Sequence, residues 1–369
     1  MHGQLSTSIS RTSSTGSVAI PTHIPSTALI ADPSIDCIYN ALPNGLHYIH
    51  TLAALKAGKH VLLEKPCVSN AEEARSLFRH PVLSAPNAPV LVEASHYRFH
   101  PAWHLFLSQF NKEDVEHAET RAAIPGGLFP GEDIRFDFNL AGGCSIDLGH
   151  YTLSALRGVF GTEPVEVTSA TPRLIPEPYD QRCDQAMAAT YLFPNGRTGA
   201  VSADIGAKGG YWFPWLTSNW PSFKDVIFIA SVRVKLGAED LDMENGMKRS
   251  SQKEIVFWGF MLPHMYHRID VTTTVTLRDP FSGAVVKESN EVKKMKAYTW
   301  AEGQGGENKG HAFWPTYRYQ LEEFVNRIKG REGSGVWIEH EESIKQMVAN
   351  DQTYAKAGLP LRPTTEKLE

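Results

Sequence analysis

Between residues 35 and 93, short apolar runs alternate with segments of helical period, and that alternation leaves few folds open. Residues 35–42, 60–63 and 90–92 read as strands. Between the first two, Leu46, Ile49, Leu52, Ala53 and Leu55 place an apolar stripe on a helix over residues 45–57, and Gly58 can end it in a left-handed cap. Ser69-Asn70-Ala71-Glu72 has capping-box spacing and predicts a helix through Phe78. Strand–helix–strand units of this kind build a parallel sheet, so the first part of the chain is expected to be an α/β, Rossmann-like domain.

Beyond Pro101 the pattern changes. A Gly- and Pro-rich loop over residues 124–131 precedes a helix starting near Gly143. Residues 165–170, 186–193, 198–204, 226–236, 254–258 and 269–277 then read as successive strands, with Pro194-Asn195-Gly196 as a hairpin turn. An α+β second domain with a large, mainly antiparallel sheet follows from this. Two amphipathic helices close the chain, one carrying Tyr317, Leu321, Phe324, Val325 and Ile328, the other Ile344, Met347, Val348 and Tyr354. Both stripes are expected to face the core. The expected division is a Ser/Thr-rich, unpacked leader over 1–25, an α/β domain over 26–113 and an α+β domain over 114–369.

With 369 residues the chain exceeds one ordinary core, and two domains are expected. A net charge of −5 provides no basic footprint for nucleic acid or anionic membrane, which favours a small-molecule partner. No run approaches the roughly 20 apolar residues that span a bilayer. Cys37, Cys67, Cys144 and Cys183 lack disulfide or zinc spacing, which suits a cytoplasmic setting. His264, His267 and His311 show no ligand pattern, and no metal is assigned. The stretch 303–310 lacks the spacing of a phosphate loop and reads as a flexible loop.

The residues with chemical interest gather at predicted strand ends. Lys65, in Glu64-Lys65-Pro66, places an ammonium at the carboxyl end of a parallel strand, where open α/β sheets bind ligands. Pro43, Asn44 and His47 follow the preceding strand; Asn44 can equally cap the next helix. In Leu140-Ala141-Gly142-Gly143-Cys144-Ser145-Ile146-Asp147-Leu148-Gly149-His150-Tyr151, Asp147 and Tyr151 share one helical face.

These segments resemble the Gfo/Idh/MocA oxidoreductases. Carrying the resemblance are Pro43-Asn44 with His47, Glu64-Lys65-Pro66, Glu93-Ala94 with Tyr97-Arg98-Phe99-His100-Pro101, Ile134-Arg135-Phe136, and the glycine pair followed by Asp147-Leu148-Gly149-His150-Tyr151. It is strongest to the branch of dimeric dihydrodiol dehydrogenase and NADP-dependent D-xylose dehydrogenase, where a Tyr occupies the last position. The resemblance implies hydride transfer between a sugar or cyclic diol and NADP, with NAD the alternative, and a homodimer formed through an open sheet face. Lys65, Tyr151 and Asp147 are the implied catalytic residues, and an ammonium at Lys65 is expected to lower the pKa of Tyr151. Pro43, Asn44, His47, Glu64, Lys65, Pro66 and Glu93 are the implied cofactor contacts. Arg98, Arg135 and His150 are the implied substrate contacts; Arg98 and Arg135 can instead form interdomain ion pairs, and His150 competes with Tyr151 for the proton.

Family members normally open with a strand, a G-x-G-x-x-G turn and a helix. Here Gly3 and Gly16 are too far apart to form that turn. Two expectations follow: a shortened version of an ordinary dehydrogenase, or a member that has lost tight dinucleotide binding and serves a non-redox or protein-interaction role.

Overall fold

The computed structural model describes residues 26–222, 230–244, 246–300, 310–365 and 368. The expected leader over 1–25, the start of the strand expected over 226–236 and most of the 303–310 stretch lie outside the described residues.

The first lobe contains α1 (Ser26–Ala31), β1 (Cys37–Asn40), α2 (His47–Lys56), β2 (His60–Glu64), α3 (Ala71–Phe78), β3 (Leu91–Ala94) and α4 (Pro101–Leu107). Its sheet is parallel, in the order β1-β2-β3, with Ile38 opposite Val61 and Leu63 opposite Glu93. Val61 and Leu63 of the central strand are fully buried, which accounts for its unbroken apolar run. Helix α2 stops at Gly58, whose φ of +76° few other residues tolerate. The cap of α3 sits one residue later than expected. Asn70, not Ser69, accepts from the Glu72 and Glu73 backbone N–H groups, while the Glu73 carboxylate reaches back to the Ser69 N–H at 2.9 Å.

The second lobe is built on β4 (Val115–Pro125), β5 (Glu166–Leu174), β6 (Asp184–Leu192), β7 (Thr198–Ala207), β8 (Ser231–Leu236), β9 (Glu239–Glu244), β10 (Met247–Trp258), β11 (Arg268–Arg278) and β12 (Val285–Met295). These form one nine-stranded sheet in the order β12-β11-β10-β8-β4-β7-β6-β5, with β9 pairing β10. Every pairing is antiparallel except β4 with β7. Helix α5 (Cys144–Phe160) covers one face, packing on β4, β6 and β7; a short helix, α6 (Pro214–Thr217), follows β7. Between sheet and helix lies an aromatic core with Tyr97, Trp103, Phe106, Phe257 and Phe260.

Helices α7 (Thr316–Ile328) and α8 (His340–Lys356) return to the first lobe. Ile344, Met347 and Tyr354 of α8 share a core with Tyr48, Leu63 and Leu77. The two lobes are therefore stitched by α8, and the residues at their seam are held from both sides. The stripe of α7 is less uniform than its spacing predicts: Phe324 is buried, but Tyr317 and Leu321 are 44% and 40% exposed.

Candidate active site

Three chain segments far apart in sequence meet at the seam. Lys65 leaves the carboxyl end of β2 and its Nζ lies 2.5 Å from Asp147 Oδ1, in the first turn of α5. Arg135, from the loop before α5, donates through Nε to the other Asp147 oxygen at 2.8 Å and pairs with Asp133 at 3.0 Å. Burial alone would raise the Asp147 carboxyl, but the Lys65 ammonium and the Arg135 guanidinium hold it below its ordinary value. Asp147 is therefore an anion bridging two cations, and it fixes the direction in which Lys65 points.

Tyr151 lies one turn further along α5, with the Lys65 Nζ 4.8 Å from the centre of its ring. The ammonium faces the ring, not the hydroxyl. The hydroxyl meets His96 Nε2 at 2.9 Å, and the Tyr317 ring packs on that imidazole. The expectation that Lys65 lowers the Tyr151 pKa is corrected here. Burial, reinforced by Tyr317, Glu64, Asp147 and Tyr39, pushes that phenol well above its ordinary value, because the charge of Lys65 is spent on Asp147. Tyr151 holds its proton firmly at neutral pH.

The start of α5 is clamped by residues the sequence did not single out. Ser145 donates from its backbone to Asp184 Oδ2 at 2.7 Å, and Ile146 donates to the Tyr354 hydroxyl at 3.1 Å. Arg362 reaches in from beyond α8, donating to Gly142 O at 2.6 Å and pairing with Asp184 at 3.0 Å, both side chains being 0% exposed. A Cβ on Gly143 would stand 2.2 Å from Arg362 Nη2, so only glycine fits beneath the clamp. No pattern around Arg362 announces this role, because its partners come from β6 and the loop before α5.

The remaining expected residues divide into two groups. Asn44 remains partly exposed and ties the β1 loop to Ala141 O at 3.2 Å, with Pro43 buried beside it. Glu64, pushed up by burial, accepts from the Tyr39 hydroxyl beside Lys65. Pro66 is buried and its carbonyl meets His47 Nδ1 at 2.8 Å. His47 is corrected from a direct cofactor contact to a brace: its other nitrogen meets Leu42 O at 2.7 Å, so both are committed to the loops after β1 and β2. Glu93 is likewise internal, accepting from Cys67 N at 3.0 Å and the Ser343 hydroxyl at 2.6 Å. His150, 3% exposed, meets Ser95 Oγ at 2.9 Å and Glu93 at 3.7 Å. Arg98 forms the ion-pair alternative, 2.6 Å from Glu342. Glu93 and His150 are buried among these partners and support the strand ends.

Residues 9–81 match the model described as the oxidoreductase family, NAD-binding Rossmann fold, and residues 114–222 match the GFO/IDH/MocA C-terminal domain. Both models describe Gfo/Idh/MocA oxidoreductases, the family this chain is similar to. A D-xylose 1-dehydrogenase (NADP(+)) of Haloferax volcanii is 36% identical over 195 residues, covering 51% of this chain and 56% of that protein. A trans-1,2-dihydrobenzene-1,2-diol dehydrogenase of Sus scrofa is 29% identical over 177 residues, 48% of this chain and 51% of that one. The chain thus spans about half the length of these curated relatives. Among solved structures, an aldose–aldose oxidoreductase from Caulobacter crescentus aligns with a TM-score of 0.58 at 17% identity, over 90% of this chain and 79% of that one. A 3-ketoreductase from Actinomadura kijaniata aligns with the same score and identity over 89% and 81%. At that identity the likeness establishes a shared fold of this protein with both.

Proposed function

We propose that this chain is a Gfo/Idh/MocA member, a nicotinamide-dependent oxidoreductase that interconverts an alcohol and a carbonyl on a sugar or cyclic diol. NADP is the favoured cofactor, as in the name of the xylose relative, and NAD the alternative. An aldose such as D-xylose going to its lactone is the leading reaction, and a trans-dihydrodiol the neighbouring one. The observation that carries the reading is the convergence of Lys65, Asp147 and Tyr151 at the carboxyl end of a parallel strand.

The residues present suit the nicotinamide end of a dinucleotide. Pro43, Asn44, Lys65 and Pro66 follow the carboxyl ends of adjacent strands, with Asn44 and Lys65 partly exposed there. A few polar groups at strand ends are what orients such a ring and ribose. When bound there, the cofactor supplies or accepts the hydride.

The chain's own residues handle the proton. Lys65, fixed by Asp147, can donate to the substrate oxygen and stabilise negative charge on it. Tyr151 carries a proton at neutral pH and is suited to give it to an oxygen that has become an alkoxide, which is the direction of carbonyl reduction. Alcohol oxidation needs the phenolate, which grows as pH rises. Oxidation is therefore expected to accelerate from neutral to alkaline pH while reduction does not.

The test is absorbance at 340 nm with NADP and a panel of aldoses and trans-dihydrodiols. A rise with members of either class, steeper at alkaline pH, is the expected result. No reduction of NADP or NAD by any member of the panel would contradict the reading.

A further inference from the structure

His96 lies in the short turn His96–Phe99 between β3 and α4, and 1% of it is exposed. The proton chemistry above does not use it. Its Nε2 lies 2.9 Å from the Tyr151 hydroxyl, and its ring packs against Tyr317 with 4.1 Å between centroids. The other nitrogen, Nδ1, is buried with no hydrogen-bond partner among the described residues. Burial, with Lys65 and His264 nearby, pushes the imidazole down to about 3, so the ring is neutral at neutral pH.

A neutral imidazole carries one proton, on one of two nitrogens. On Nδ1 that proton would be a buried donor without an acceptor, a rarer arrangement in folded proteins than an acceptor left short of a donor. On Nε2 it finds the Tyr151 oxygen. The Tyr151 hydroxyl, having accepted from His96, then sends its own proton elsewhere. Tyr317, packed on the His96 ring and 44% exposed, marks the outward direction.

We propose that His96 is a positioning residue held as the Nε2–H tautomer: it donates to the Tyr151 oxygen, aims the Tyr151 proton outward at the substrate oxygen, and supports the phenolate left behind. This rests on Tyr151 being the proton-transfer group. In the step concerned, the Tyr151 O–H bond breaks and an O–H bond forms on the substrate alkoxide. The electron pair stays on the Tyr151 oxygen, where the His96 N–H meets it. The groups facing the pair are Glu64 and Lys65 at the end of β2, Tyr39 on β1, Asp147 and His150 on α5, Tyr317 on α7, and His264. Glu64 and Asp147 oppose the phenolate, and Lys65 is already paired with Asp147. That leaves His96 as the neutral donor on the phenolic oxygen.

Nitrogen-15 histidine spectra of the full chain read the tautomer without turnover, with His96 assigned by its loss in His96→Gln. A neutral ring protonated on Nε2 from about pH 6 to about pH 8 is expected. Protonation on Nδ1, or titration within that range, overturns the proposal. Kinetics supply the second readout. In alcohol oxidation, His96→Phe should shift the alkaline rise upward by about one pH unit and lower kcat ~10-fold, the scale of a lost hydrogen bond to a charged group, with KM changed little. His96→Gln retains a donor and should recover part of both. Identical pH profiles in wild type and His96→Phe overturn the proposal. Full activity of Tyr151→Phe would instead overturn the assignment of Tyr151, and the two failures are told apart because the spectra require no turnover.

Discussion

Replacing Lys65 by methionine is expected to lower kcat by ~10³-fold or more while leaving the protein folded. The side chain's length and packing are retained and the charge is lost. Asp147 keeps Arg135 at 2.8 Å, so removing Lys65 does not leave a buried carboxylate without a partner. That is why activity and stability should separate in this variant. Turnover at 340 nm and thermal unfolding of the same preparation check both halves. A Lys65→Met protein with wild-type kcat would remove Lys65 from the chemistry, and one that fails to fold would recast it as a structural ion pair.

The largest expected effect on stability lies about the start of α5. Arg362→Ala strips the cationic partner from Asp184, whose side chain is fully buried and keeps the Ser145 N–H and the Tyr354 hydroxyl, and removes the donor to Gly142 O. Breaking a buried pair from one side typically costs about 3–5 kcal/mol, because the remaining charge stays in the interior. Urea unfolding should show that loss as a lower midpoint. Arg182→Ala makes the contrast: Arg182 pairs with Asp180 at the surface at 2.6 Å with half its side chain exposed. Its removal should change stability by no more than about 0.5 kcal/mol. Equal effects of the two substitutions would show that the Arg362 clamp carries no special weight. Because Asp147 and Tyr151 project from the helix that this clamp orients, partial unfolding here should reach the site before it reaches the nine-stranded sheet.

Several parts of this arrangement were visible in the residues alone. The runs at β2 and β3 announced a parallel sheet because both faces of these strands are covered, so burial writes itself into unbroken apolar segments; β1, at the sheet's edge, is largely exposed. Lys65, Asp147 and Tyr151 were identifiable as a set because each sits in a locally distinctive segment. What stayed hidden depends on contacts between distant segments. β12 reads Val285-Val286-Lys287-Glu288-Ser289-Asn290-Glu291-Val292-Lys293-Lys294-Met295 and is exposed along nearly its whole length, so no alternation marks it; pairing with β11 makes it a strand. Tyr317 falls in register with an apolar stripe yet stands half-exposed over His96. His96 and Arg362 carry no local signature at all. The charge logic at Tyr151 also reversed: proximity to an ammonium suggested a lowered pKa, but the ammonium is engaged by Asp147 and the phenol is buried.

The proposed reaction requires that a nicotinamide reach the strand ends beside Lys65. Fluorescence titration of the full chain with NADPH, and in parallel with NADH, measures this directly. Saturable binding in the micromolar range, tighter for NADPH, is predicted. A signal that stays linear with added NADPH and NADH would contradict it.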